Sequence, residues 1–113
     1  EKSIEAYKHW HGLYFHFPKS TKFSLGVKID TLFTDFIDLL LVAGYTPKDQ
    51  KLIAIQKLSA KLDALKYFVR IAWEIQSLDH KKYAAFLVPL NDMGKMIGGW
   101  QRDTQPKQPT LME

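Results

Sequence analysis

Three sets of side chains in this sequence have types and spacings that could do chemistry. Histidines 9, 11 and 16 crowd the first segment, and imidazoles so placed suggest a metal centre. His9 and His11 are two residues apart, which on a helix turns them about 200° from each other, so they cannot share an ion. No Glu-x-x-His pair occurs, the arrangement that bundle-type metal sites use. Asp30, Asp35 and Asp38 have no inward-facing partner set and read as a solvated face beside lysines. The chain has no cysteine, hence no disulfide, thiolate ligand or cysteine nucleophile. A Gly-rich phosphate loop and a Gly-x-Ser-x-Gly elbow are also missing from the sequence. With no acid–base, nucleophilic or metal set, the expectation is a non-enzyme without cofactor. The third set is cationic. Lys57 and Lys61 are four apart, as are Lys66 and Arg70. Like charges at that spacing repel, so a polyanionic partner would explain them, because each neutralised phosphate releases counterions. An ordinary lysine-rich solvated face explains them equally well. Lys81, Lys82, Lys95 and Arg102 extend the positive surface if the last helix lies beside the one before it.

The net charge of +4 is unevenly spread. Residues 48–77 carry six cations against three carboxylates, leaving +3 on one segment, while residues 1–16 and 17–47 each balance. A hydrophobic content of 46% and a charged content of 25% are those of a globular chain. At 113 residues one core is the expectation. No apolar run approaches the roughly 18 residues of a membrane span, and the opening Glu-Lys-Ser-Ile-Glu is unlike a secretory leader. A soluble, cytoplasmic chain is expected.

The elements that must position these groups are helical throughout. Ile4, Tyr7, His11 and Tyr14 recur at helical spacing with Trp10 and Phe17 beside them, and Pro18 closes the segment near His16. A second helix starts after Pro18 with Ser20 or Thr21 as cap. Its apolar face runs Phe23, Val27, Leu32, Phe33, Phe36, Ile37, Leu40 and Ala43, and Gly44 ends it. Thr46 caps a third helix with Pro47 at its first position. There Ile55, Leu58, Leu62, Leu65, Val69 and Ala72 form an a/d seam flanked by Phe68 and Ile75. Asp79 caps a fourth helix carrying Tyr83, Phe86, Leu87, Leu90, Met93, Ile97 and Trp100, kinked or short of one hydrogen bond at Pro89. Residues 103–113 read as a disordered tail after a domain over 1–102. Four helices on short turns predict an all-α, antiparallel up-down-up-down four-helix bundle.

Surplus apolar surface accompanies that core. Trp10, Trp73, Trp100, Tyr45 and Tyr67 add aromatic area beyond the seam, which points to a protomer interface, the alternative being that these rings simply flank the core. Gly94 and Gly98, four apart, would let another helix or a neighbouring subunit come close, at roughly 1 kcal/mol each in helix propensity. The expected oligomer interface is Trp10, Trp73, Gly94, Gly98 and Trp100.

Three ordered segments carry a resemblance. Phe17-Pro18-Lys19-Ser20 with Phe23-Ser24-Leu25-Gly26-Val27-Lys28-Ile29 is the first, and Lys61 through Ala72 the second. Met93-Gly94-Lys95-Met96-Ile97-Gly98-Gly99-Trp100 is the third. Together they resemble the bundle proteins that include the accessory variability determinant (Avd) of diversity-generating retroelements, a superfamily shared with proteins of ribosomal RNA intervening sequences. The resemblance implies a homopentameric barrel. For the retroelement branch it implies a non-catalytic accessory subunit that binds RNA and DNA and associates with the element's reverse transcriptase in mutagenic copying. Lys61, Lys66, Arg70 and Lys95 lie in the matching segments and would meet phosphates, with Lys57 beside them on the basic face and Lys19, Lys22 and Lys28 as second choices. A pentamer would raise the charge to about +20. The intervening-sequence branch implies instead an oligomeric structural or protein-interaction bundle with no nucleic-acid role.

Overall fold

The computed structural model describes residues 1–105, so the tail expected over 103–113 lies outside the described residues from 106 onward. Helix α1 spans Lys2–Phe15, α2 Val27–Tyr45, α3 Lys48–Glu74 and α4 His80–Thr104. One helical turn at Lys19–Thr21 and a π-helical segment at Lys22–Gly26 lead into α2. No strand occurs among the described residues. The helices pack as a four-membered ring in cross-section, α1 touching α2 and α4, and α3 touching α2 and α4. Short connections make neighbours antiparallel. Trp73 stacks on Tyr83 at one end of the α3–α4 seam, while Lys66 lies over Gly94 farther along it.

The core is a column of buried apolar side chains from all four helices. On α3 it consists of Ile55, Leu58, Leu62, Leu65, Val69 and Ala72, the a/d seam that the spacing predicts. Ile75, expected to widen that seam, is exposed, whereas Phe68 packs against it. From α4 come Phe86, Leu90, Met93 and Ile97, while Tyr83 and Leu87 are half-buried and Trp100 is more exposed. Phe86 stacks on Trp10 with ring centroids 6.0 Å apart, and Phe33 packs between Phe86 and Phe36.

The first two helices correct the sequence-based register. Ser3, Ala6, Trp10 and Leu13 are the buried positions of α1, so the inward stripe lies one residue before the expected Ile4–Tyr7–His11–Tyr14 line; Ile4 and His11 are exposed. In α2 the buried set is Ile29, Leu32, Phe33, Phe36 and Ala43, with Phe23 and Val27 exposed. Val27 lies past the π-helical segment, nine residues before buried Phe36 and so on the opposite face of α2; for Phe23 the physical reason is that segment. Its wider turn holds one extra residue, which rotates everything upstream by about 100° relative to a continuous α-helix. Pro18, rather than Ser20 or Thr21, holds the N-cap position, and its carbonyl accepts from the backbone N–H of Thr21 and Lys22. Thr21 instead turns its hydroxyl to that of Ser77, 2.6 Å away, in the α3–α4 connection. Gly26 is buried against Tyr14, whose Cε1 would lie 2.9 Å from any Cβ placed there. No larger residue fits without displacing the ring.

Helix ends also differ in detail. Gly44 lies inside α2, which ends at Tyr45 with Thr46 as C-cap. Pro47 is the N-cap of α3, one place earlier than expected. Helix α3 closes in a Schellman motif: Ser77 N–H donates to Ala72 C=O at 2.8 Å, Gln76 N–H donates to Trp73 C=O, and Gln76 takes φ 67°. Asp79 caps α4 as expected, its side chain accepting from Lys82 N–H at 2.8 Å. Pro89 sits within α4 without ending it. The carbonyl four residues back, at exposed Ala85, can turn to water instead. Helix α4 continues to Thr104, two residues past the expected domain limit of 102.

Candidate nucleic-acid interface

Helices α3 and α4 run side by side and leave a groove of about 550 Å³ between them. Lys66 comes from α3, and Lys95 and Arg102 come from α4, seven residues apart and therefore on one face. Gly94 and Gly98 form the floor. A Cβ at Gly94 would stand 3.2 Å from Lys66 Nζ, and one at Gly98 would stand 3.6 Å from an Arg102 guanidinium nitrogen. Gly94 thus leaves room for the Lys66 ammonium to lie low across the helix, while at Gly98 a Cβ would meet Arg102 at ordinary contact distance. Within the protomer the bare backbone of both glycines faces this groove and not another helix's backbone. Three cations against the single carboxylate of Asp63 give the lining a positive balance, and Ser59 and Asn91 add neutral polar groups. None of these cations is held in an ion pair among the described residues. A groove of this kind can take a phosphate. Arg102 supplies a planar fork of donors and the lysines supply point charges.

The other cations expected to bind nucleic acid divide over different surfaces. Lys57 and Lys61 line a separate groove of about 370 Å³ beside Leu39 of α2. Arg70 is exposed but engaged, its Nε donating to Glu74 Oε2 at 2.9 Å. Lys22 Nζ stands 5.1 Å from the Tyr14 ring centroid, Lys28 Nζ stands 5.4 Å from that of Phe68, and Lys19 is exposed beside Pro18. The structure therefore gathers Lys66 and Lys95 and separates the rest.

A family model matches residues 2–104 of the chain, and its description is bAvd-like. The chain belongs to the bAvd-like family. This is the accessory variability determinant kinship to which the three ordered segments point, and it makes this bAvd-like chain an accessory-type protein. No curated protein and no solved structure matches it.

Of the tryptophans expected at an interface, Trp10 is taken up inside the protomer, whereas Trp73 is half-buried and Trp100 exposed. Trp10 is fully buried, and its indole N–H donates to Asp30 Oδ1 at 3.1 Å. Tyr7 O–H donates to the same oxygen at 2.6 Å. Asp30 is thus a half-buried acceptor that ties α1 to α2, not part of a solvated acidic face. Burial first, then the Asp30 hydrogen bond and charge, push the Tyr7 phenol up to about 12. Trp73 lies flat on Tyr83, ring centroids 4.6 Å apart and planes 6° from parallel. Trp100 is 38% exposed and walls a small apolar cavity of about 200 Å³ with Ala43, Gly44 and Ile55. His9 packs on Phe86 and His11 on Phe15.

Arg102 extends the positive surface as the sequence allows when α4 lies beside α3, but its place in one groove with Lys66 was missed in the sequence, as was a second groove. On the other side of α4, a groove of about 670 Å³ is rimmed by Glu1, Glu5 and Asp92 against the single cation Lys2, with His9, over Ala6, Val88 and Pro89; Glu5 is also paired with Lys8 at 3.6 Å. Helix α4 therefore separates a cationic groove from an acidic one. No helix among the described residues is long and apolar enough to cross a membrane.

Proposed function

We propose that this protein is the nucleic-acid-binding, non-catalytic accessory subunit of a retroelement reverse transcriptase, holding template RNA beside the polymerase as a cytoplasmic homo-oligomer, a pentamer by family resemblance. The observation that carries the reading is the convergence of Lys66, Lys95 and Arg102 over a glycine floor in a member of the bAvd-like family. Phosphates of RNA or single-stranded DNA fit that groove, and the acidic α1–α4 groove repels them. Backbone recognition of this kind is sequence-tolerant and salt-dependent.

The test is binding of a structured RNA titrated with salt. Lys66→Glu, Lys95→Glu and Arg102→Glu should each weaken binding and flatten the slope of log affinity against log salt by roughly 0.7–0.9 per lost phosphate contact. Asp63→Asn should tighten it. Absence of binding at low salt, or the same affinity in all four variants, overturns the reading. The second reading, a structural bundle without a nucleic-acid role, is favoured by the Arg70–Glu74 pair and by the dispersal of Lys57 and Lys61. It predicts that charge reversal in the groove leaves the protein's cellular activity unchanged.

A further inference from the structure

Beyond the core seam, α2 and α3 each carry a second one on the outside. On α2 it runs Val27, Thr31, Thr34, Asp38, Leu41 and Tyr45; on α3 it runs Ile53, Lys57, Ala60, Ala64, Tyr67 and Ile71. Both keep the alternating four-and-three spacing that a packed helix pair uses. Their large apolar members are left in solvent: Tyr45 is 88% exposed, Tyr67 63%, Ile53 60% and Leu41 57%. The charges are complementary. Asp38 is exposed on the α2 seam, and Lys57 and Lys61 lie one turn apart on or beside the α3 seam. None of the three is ion-paired within the protomer among the described residues.

The heights of the two seams match as well. Within the protomer, Ala43 and Ile55 wall one cavity and Lys28 covers Phe68, which fixes the levels of the antiparallel pair. At equal height the outer seams then place Tyr45 level with Ile53, Leu41 with Lys57, and Asp38 with Ala60, midway between the two lysines. Farther along, Thr31 is level with Tyr67 and Val27 with Ile71. Rotation of a copy about an axis parallel to the helices preserves height.

We infer that the α2 outer seam of one copy packs antiparallel against the α3 outer seam of a second copy of this chain, in that register. The contact is head to tail. Neighbouring helices of a four-helix bundle face outward about 90° apart, so such a contact closes into a small ring rather than a filament. The inference rests on the assembly part of the proposed function and names the surfaces that carry it. It removes Lys57 and Lys61 from the nucleic-acid set and gives them to Asp38 of the neighbouring copy.

The chain has no cysteine, so introduced thiols report alone. The full chain with Leu41→Cys and Lys57→Cys, oxidised with diamide, should give a covalent ladder on a non-reducing gel. Leu41→Cys with Tyr67→Cys, about 15 Å out of register, should not. Asp38→Lys should weaken assembly about tenfold or more by light scattering, and Lys57→Asp with Lys61→Asp in the same chain should restore it. A multimeric parent with no in-register ladder and an indifferent Asp38→Lys overturns the face assignment alone. A parent that is monomeric at tens of micromolar overturns the assembly reading with it. RNA binding on the same samples reports separately on the α3–α4 groove.

Discussion

At the scale of single residues, the Asp30 carboxylate ties α1 to α2, because one oxygen receives both Tyr7 O–H and Trp10 N–H. The phenol must be protonated to donate. Its value of about 12 in the folded protein stands above the ordinary value of 10.0, so the native state binds this proton more tightly than the unfolded chain. Stability from this group is fully present below pH 10 and is lost as pH rises towards 12. Comparison of Tyr7→Phe with the parent cancels the lysine titrations they share. Denaturant midpoints of the parent should fall faster than those of Tyr7→Phe across that window. Equal slopes would mean that the phenol–carboxylate bond contributes nothing. Asp30 was illegible as a partner because spacing shows where a carboxylate sits on its own helix, not which helix faces it. Lys66 and Lys95 were legible as cations for the opposite reason: long side chains on a lysine-rich face need no partner to be noticed.

At the scale of elements, α3 was read from its heptads almost residue for residue, since 27 helical residues leave the period little freedom. The start of α2 was not. A π-helical turn is written in no residue type, and one inserted position is enough to move Phe23 from the expected core to the surface. Helix α3 ends on Gln76 at φ 67°, a conformation that costs a side chain with a Cβ roughly 1–2 kcal/mol. Glycine adopts it freely, although it loses more entropy on folding. Gln76→Gly should therefore stabilise the protein by about 0.5–1 kcal/mol, read as a higher denaturant midpoint at unchanged slope. A lower midpoint would show that the Gln76 side chain makes up for its own strain.

At the scale of the whole molecule, the four-helix architecture followed from periodicity and turns, while the grooves did not. A groove depends on which faces of two helices meet, and the sequence places cations on helices without setting the angle between them. That is why eight candidate cations resolved into a cluster of Lys66 and Lys95 with Arg102, and into scattered others. The same scale exposes an asymmetry of ends. At one end the Thr21–Ser77 hydroxyl bond ties the α1–α2 connection to the α3–α4 connection. At the other, α1 begins level with Asp92, and α4 continues through Met93–Thr104, about 18 Å farther, with no α1 alongside.

That unequal reach divides the molecule into a knotted end and a breathing end. Amide protons of Leu90 and Val69 should exchange only through global opening, while those near Leu52, Ala43 and Ile97 should exchange through cheaper partial openings. Hydrogen–deuterium exchange read along the long axis checks this, and uniform protection would contradict it. Because the lower half of the cationic groove, at Gly98 and Arg102, belongs to the breathing end, a bound polyanion there would act as a splint. It would slow exchange most where the bare protein is loosest.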